Sequence, residues 1–158
     1  MITALISDFS HVLLFPQDSG YTGQLNQLYK KLKQDNVADA RAYFQLNTEL
    51  LGMLQGLKDK LQMHLFTQGE MHNIPELRAE LLKVFTTLNS SAEIGFGKDN
   101  PEAYIVLLKK LGLDPANTMF IDDKSENIAA AQQAGLVAVR YLSNTQLRDT
   151  LKTYGLAK

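Results

Sequence analysis

Hydrophobic positions in this chain follow two rhythms that alternate along its length. Apolar runs at residues 3–6 and 119–121, and short segments at 63–66, 92–94 and 137–141, read as strands. Between them, apolar residues recur every three or four positions, the period of a helix with one buried face. Leu25, Leu28 and Leu32 form one such stripe, with Lys30, Lys31 and Lys33 on the other side. Tyr43, Phe44, Leu50, Leu54, Leu57 and Leu61 form a second. Asn47 is placed to cap a fresh helix inside it, so the pattern reads as one helix or two. Asn73 and Pro75 open a third helix, with apolar face Leu77, Leu81, Val84 and Leu88. Further helices are expected from Asn100-Pro101 to Gly112, from a Ser125 cap to Gly135, and over about residues 145–154. Strands separated by helices of this length predict a parallel sheet wound in βα units. Residues 9–18 read as loop or a short extended continuation of the first strand. Only residues 16–47 fit poorly, being too long for a simple βα connection.

Composition narrows the class. At 158 residues and 45% hydrophobic, the chain has room for one full core. A net charge of −1 with intermixed signs favours neither nucleic acid nor an anionic membrane surface. The absence of cysteine excludes disulfides, thiolate metal sites and a cysteine nucleophile, and favours a reducing compartment. The opening MITALISDFS has no basic segment and meets Asp8 early, unlike a signal peptide. No apolar run approaches the roughly 20 residues needed to span a bilayer. A soluble cytoplasmic protein is the expectation.

Candidate chemistry concentrates where strands end. In TMFIDDKSENIAAAQQAGL, residues 118–136, an apolar strand stops at two adjacent carboxylates, Asp122 and Asp123, before a helix begins. The strand at 3–6 likewise runs into Asp8. If the two strands are parallel neighbours, three acids converge on one rim of the sheet, a setting for a hard cation such as Mg²⁺. Thr67 ends another strand, and Lys98 closes the glycine-rich turn Gly95-Phe96-Gly97-Lys98. Singly, each has an ordinary reading: Asp8 as a turn former, Thr67 as a cap, Lys98 as a solvated loop residue, the acidic pair as a complement to the helix dipole. His11 reads as a local hydrogen-bonding residue, His64 as structural within a strand, and His72 as a surface loop residue. The Leu25 to Leu32 stripe reads as a packing face, and its lysines as a solvated one.

Taken in order, Asp8, Thr67, Lys98 within GKDNPEAY, and MFIDDKSEN resemble the four motifs of the haloacid dehalogenase-like (HAD) hydrolases over nearly the whole chain. The resemblance implies a Rossmann-like α/β domain over residues 1–158, three layers α/β/α, with a reduced helical cap inserted at about residues 16–47. It also implies a chemistry. Asp8 would be a nucleophile forming an aspartyl-phosphate, splitting a difficult displacement into two steps. Asp8, Asp123 and the backbone carbonyl of Ser10 would hold Mg²⁺, with Asp122 acting through water. Thr67 and the amide of Gln68 would bind phosphate oxygens, Lys98 would neutralise charge, and Asn127 would orient the acidic turn.

Two departures qualify that chemistry. Phosphatases of the family carry a second acid two positions after the nucleophile, where this chain has Ser10. That acid protonates the leaving group and later activates water, help worth ~10²–10⁴-fold, and a serine hydroxyl is too weak to replace it. Relatives cleaving carbon–halogen bonds have tyrosine there, and transport ATPases have threonine. His11 replaces a residue that is usually glycine and is a candidate substitute acid. The short insert would leave the cleft open, or let another subunit or a macromolecule complete it. The expected function is Mg²⁺-dependent hydrolysis of a phosphate ester, weakened by Ser10, on a small phosphorylated metabolite or another phosphate-bearing substrate. The alternative is a catalytically impaired relative that binds Mg²⁺ and phosphate ligands or a protein partner. A receiver-type signalling domain uses similar residues, but with the acidic pair on its first strand, the reverse of the order here.

Overall fold

The computed structural model describes residues 1–157. Five parallel strands form its sheet: β1 (Ala4–Ser7), β4 (Gln62–Thr67), β5 (Thr87–Ser90), β6 (Thr118–Asp122) and β7 (Val137–Arg140), in the order β5-β4-β1-β6-β7. β1 is central because its residues are apolar or small on both faces, and all four are buried. The chain winds outward from β1 on both sides, so the carboxyl ends of β4, β1 and β6 share one rim at the reversal of strand order.

Alternation along the strands divides the core into two layers. Leu5, Met63, Leu65, Met119 and Ile121 face one side, packed with α2 (Thr48–Gln55), α3 (Pro75–Leu81) and α7 (Asn144–Thr153). Ile6, Phe66 and Phe120 face the other, against α5 (Pro101–Leu111) and α6 (Ser125–Gln133). The three-layer α/β/α arrangement follows from this pleat. In the second layer, the Tyr104 ring stands edge-on to Phe66 and Phe120, at centroid separations of 5.8 and 5.0 Å.

The segment that fits no simple βα connection forms a hairpin with a helix in its loop. β2 (Leu14–Pro16) pairs antiparallel with β3 (Phe44–Leu46), and between them lies α1 (Leu25–Gln34). The Leu25–Leu32 stripe packs into the core, and Lys30, Lys31 and Lys33 are exposed. Asn47 fixes the base of this hairpin. Its Oδ1 accepts the Leu50 amide as the α2 cap, and its Nδ2 donates to Val12 O, Tyr141 Oη and Asn144 Oδ1 at 2.8–3.1 Å. The ambiguous 43–61 pattern is therefore a strand followed by a separate helix.

Four sequence expectations are corrected. Residues 92–94 are not a strand: Ser90 caps a one-turn helix, α4 (Ser91–Ile94), by accepting the Glu93 amide, and Gly95 ends it at φ 87°. Ser90 and Glu93 have the spacing of a capping box, which outweighs the short apolar run. Leu88 belongs to β5, not to the preceding helix, which stops at Leu81. Ser125 is the first helical residue rather than the cap, because the Asp122 carboxylate takes the Lys124 amide at 2.9 Å. His72 is buried, not a surface loop residue, whereas His64 lies buried within β4 as read and bonds Thr87 Oγ1 at 2.9 Å.

Candidate active site

Strand ends supply the acids. Asp8 follows β1 directly, and its amide still donates to Ile121 O at 2.8 Å, so its side chain leaves the sheet at a fixed place on the rim. Asp122 ends β6, and Asp123 opens the turn after it. Carboxylate oxygens of Asp8, Asp122 and Asp123 lie within 4.8 Å of one another. The predicted convergence of three acids holds.

Their surroundings differ. Asp122 is fully buried and saturated: Asn127 Nδ2 donates to both its oxygens at 3.1 and 3.0 Å, the Lys124 amide donates to Oδ1, and Lys98 Nζ sits 2.6 Å from Oδ2. Asp8 is buried, with Lys98 Nζ 2.5 Å from Oδ1. Asp123 is half-buried. Three carboxylates thus face one ammonium, leaving two negative charges unmatched within the cluster when all are ionised.

Electrostatics register that excess. Burial raises the Asp8 carboxyl from 3.8 to about 7, opposed by Lys98 and assisted by the Asp122 charge. Asp123 is raised too, by burial first and then by Asp122. Burial disfavours the Lys98 ammonium, but attraction to Asp8 and Asp122 outweighs it and holds the group above its usual range. The Lys98 ammonium also lies 5.5 Å from the ring centroids of Phe66 and Phe120.

Lys98 is therefore not a solvated loop residue. Tyr104 Oη donates to the Lys98 carbonyl at 2.7 Å and approaches the Asn127 carbonyl at 3.2 Å. One buried phenol thereby joins the lysine loop to the acidic turn. Sequence reading missed Tyr104, though its place six residues after Lys98 on a helix beginning at Pro101 was a usable signal.

A pocket of about 40 Å³ opens above Asp8, and Ser10, His11, Gln68, Lys98, Lys124 and Asn127 also line it. Thr67 is buried at the end of β4, beside but not among the lining residues. The Ser10 hydroxyl is buried without a hydrogen-bond partner among the described residues. His11 has φ 59°, a left-handed conformation that glycine adopts without strain. Gln24, Leu25 and Asn26, from the start of α1, complete the wall. Those three were not legible as site residues, since only tertiary packing carries α1 to this rim.

The donor set suits a hard divalent ion. It consists of carboxylate oxygens, holds no soft ligand, and carries an excess of two negative charges.

The family model for haloacid dehalogenase-like hydrolases matches residues 15–135. This chain belongs to the haloacid dehalogenase-like hydrolases. The HAD fold is seen as well in solved structures of low sequence identity. A HAD family enzyme from Bacteroides thetaiotaomicron, in complex with magnesium and inorganic phosphate, superposes with a TM-score of 0.69 at 18% identity, covering 91% of this chain and 96% of that one. L-2-haloacid dehalogenase from Xanthobacter autotrophicus, with chloropropionic acid covalently bound, gives 0.68 at 17%, covering 100% and 85%. Among curated proteins, sesquiterpene phosphatase astK of Aspergillus oryzae is 34% identical over 84 residues, 53% of this chain and 39% of its own length. Flavin mononucleotide hydrolase 1 of Arabidopsis thaliana is 28% identical over 99 residues, 62% and 40% respectively. The chain spans about two fifths of the length of these curated relatives.

No helix among the described residues is long and apolar enough to cross a membrane.

Proposed function

We propose that this HAD-like hydrolase hydrolyses phosphate esters in a Mg²⁺-dependent reaction, with Asp8 as nucleophile. The observation that carries the reading is the Asp8–Asp122–Asp123 cluster, held within 4.8 Å and left two charges negative by its single lysine. Two curated relatives are named for hydrolysis of phosphate-bearing substrates, in agreement with it.

Asp8, Asp123 and the Ser10 carbonyl would hold the ion. When bound, Mg²⁺ would offset the repulsion between a dianionic phosphate and a carboxylate nucleophile. An Asp8 oxygen forms the new bond to phosphorus as the bond to the leaving oxygen breaks, and water then cleaves the aspartyl-phosphate to inorganic phosphate and free Asp8. Lys98 neutralises the transferring group from beneath, held by Asp122, the two phenyl rings and its own Tyr104-bonded carbonyl. Thr67 and the Gln68 amide bind phosphate oxygens. Asp122 and Asn127 orient the acidic turn, and the reduced cap over about residues 16–47 bounds the substrate.

The leaving oxygen needs a proton, and Ser10 cannot supply one. Departure is therefore fastest from leaving groups stable as anions, such as acyl and aryl groups. A second reading, a phosphate-binding or sensory protein without turnover, draws on the same Ser10 substitution.

The test is Mg²⁺-dependent phosphate release from acetyl phosphate and p-nitrophenyl phosphate, wild type beside Asp8→Asn. Release that disappears in the variant and with chelator supports the hydrolase. Metal-dependent ligand binding with no release from either protein supports the binding reading.

A further inference from the structure

The pocket above Asp8 has about 40 Å³ of free space. Against the ≳10–15 Å³ that one water needs, this holds a few waters and not a phosphate ester with its leaving group. Its outer wall is the first turn of α1. There the Asn26 amide lies against the α-carbon of Gly69: a β-carbon built on Gly69 would stand 2.6 Å from Asn26 Cγ. Asn26 Oδ1 is buried in this contact with no hydrogen-bond partner among the described residues.

Beyond the contact, a groove of about 520 Å³ runs between α1 and the Gly69–Glu70 turn. Asn26 lines both the pocket and the groove, so the two are one path interrupted by a single side chain. The groove is walled by the half-buried Tyr29 ring and by lysine stems, apolar surfaces with charged tips. Positions 26, 30 and 33 share one face of the helix, and the axial rise is about 6 Å from 26 to 30 and about 10 Å from 26 to 33. At the far end, Lys33 Nζ pairs with Glu70 at 2.8 Å and lies 5.6 Å from the Tyr29 ring centroid. Lys30 is exposed and has no carboxylate partner among the described residues. The path thus leads from a phosphate-sized end, past the Asn26 amide, along an apolar wall to an unmatched positive charge.

We infer that this groove holds the leaving group of the substrate, that Asn26 is the specificity-determining residue at its entrance, and that the substrate is a phosphate monoester with an apolar body about 6–10 Å long ending in an anionic group. The inference rests on the Asp8 pocket being the phosphate site. Rotation of Asn26 away from Gly69 joins the two cavities and frees its amide to bond the ester as it emerges. Gly69 is the residue that lets the amide rest there in the closed arrangement. Lys30 meets the anionic end.

Three non-hydrolysable phosphonates test this by isothermal titration calorimetry of the whole chain in Mg²⁺. They are methylphosphonate, an eight-methylene phosphonate ending in methyl, and the same chain ending in a carboxylate. The long chain is expected to gain at least about tenfold over methylphosphonate from apolar burial. The carboxylate adds about threefold more, and Lys30→Gln removes only that last factor. Equal affinities for all three ligands, or indifference of the carboxylate to Lys30→Gln, overturn the inference. Turnover of p-nitrophenyl phosphate on the same samples reports separately on hydrolysis. Graded affinities without turnover would uphold the groove and overturn the hydrolase reading, and turnover with equal affinities would do the reverse.

Discussion

Asp8→Asn should abolish phosphate release and, without metal, make the protein more stable. In the folded chain burial raises Asp8 to about 7 from 3.8. An acid raised on folding favours the fold at low pH, and that contribution is lost as pH rises through the folded value. Above pH 7 the ionised carboxylate therefore costs about 4 kcal/mol, at about 1.36 kcal/mol per pH unit. Asparagine removes this cost; the attraction to Lys98 is already counted in the raised value, and Asp122 keeps the lysine paired. The gain is at most about 4 kcal/mol, or about 8–16 °C in melting temperature for a chain of this length. Calorimetry in chelator from pH 4 to pH 8 should show the advantage of Asp8→Asn growing between about pH 4 and pH 7 and level above. Added Mg²⁺ should then stabilise wild type, by about 2.7 kcal/mol at a hundred times its dissociation constant, and should barely move the variant. A variant no more stable than wild type at pH 8 in chelator would refute the charge-excess reasoning.

Other changes probe the remaining parts. Ser10→Asp should raise turnover of simple alkyl phosphates by about 10–10³-fold while changing acetyl phosphate little, because only the poor leaving group needs the acid; leaving-group dependence of kcat/KM measures it. Tyr104→Phe should cost about 1–3 kcal/mol in denaturant unfolding, since the buried Lys98 carbonyl loses its donor, and should lower kcat as the Lys98 loop loosens. His11→Gly should add about 1 kcal/mol of stability by relieving a left-handed backbone, read as a higher urea midpoint at unchanged slope. Asn47→Ala should lower stability by about 1–3 kcal/mol, because the hairpin base loses a cap and three acceptors lose their donor.

The sheet was readable where strands are buried on both faces, since β1, β4 and β6 are short, mostly apolar segments leading to Asp8, Thr67 and Asp122. It was not readable at the β5 edge. There the strand is the half-polar Thr87–Ser90, and the more apolar residues after it are a single capped turn. The acids could be foreseen because a parallel sheet brings the ends of neighbouring strands together whatever separates them in sequence. The burial of Lys98 could not, because it depends on a box made by Phe66, Phe120 and Tyr104 from three separate elements. Nor could the approach of Asn26 to Gly69, which joins residues on α1 to the turn after β4. His72 was misread for a similar reason: its loop is polar in sequence and covered only by packing.

The most direct measurement is to trap the covalent state. Wild type mixed with acetyl phosphate and Mg²⁺, quenched in acid within one turnover and digested, should yield one phosphorylated peptide. Its phosphate should lie on Asp8 and be labile to hydroxylamine, and neither Asp8→Asn nor a chelated sample should carry it. Phosphate release that proceeds with no phosphopeptide, or with the phosphoryl group on another residue, would contradict Asp8 as the nucleophile.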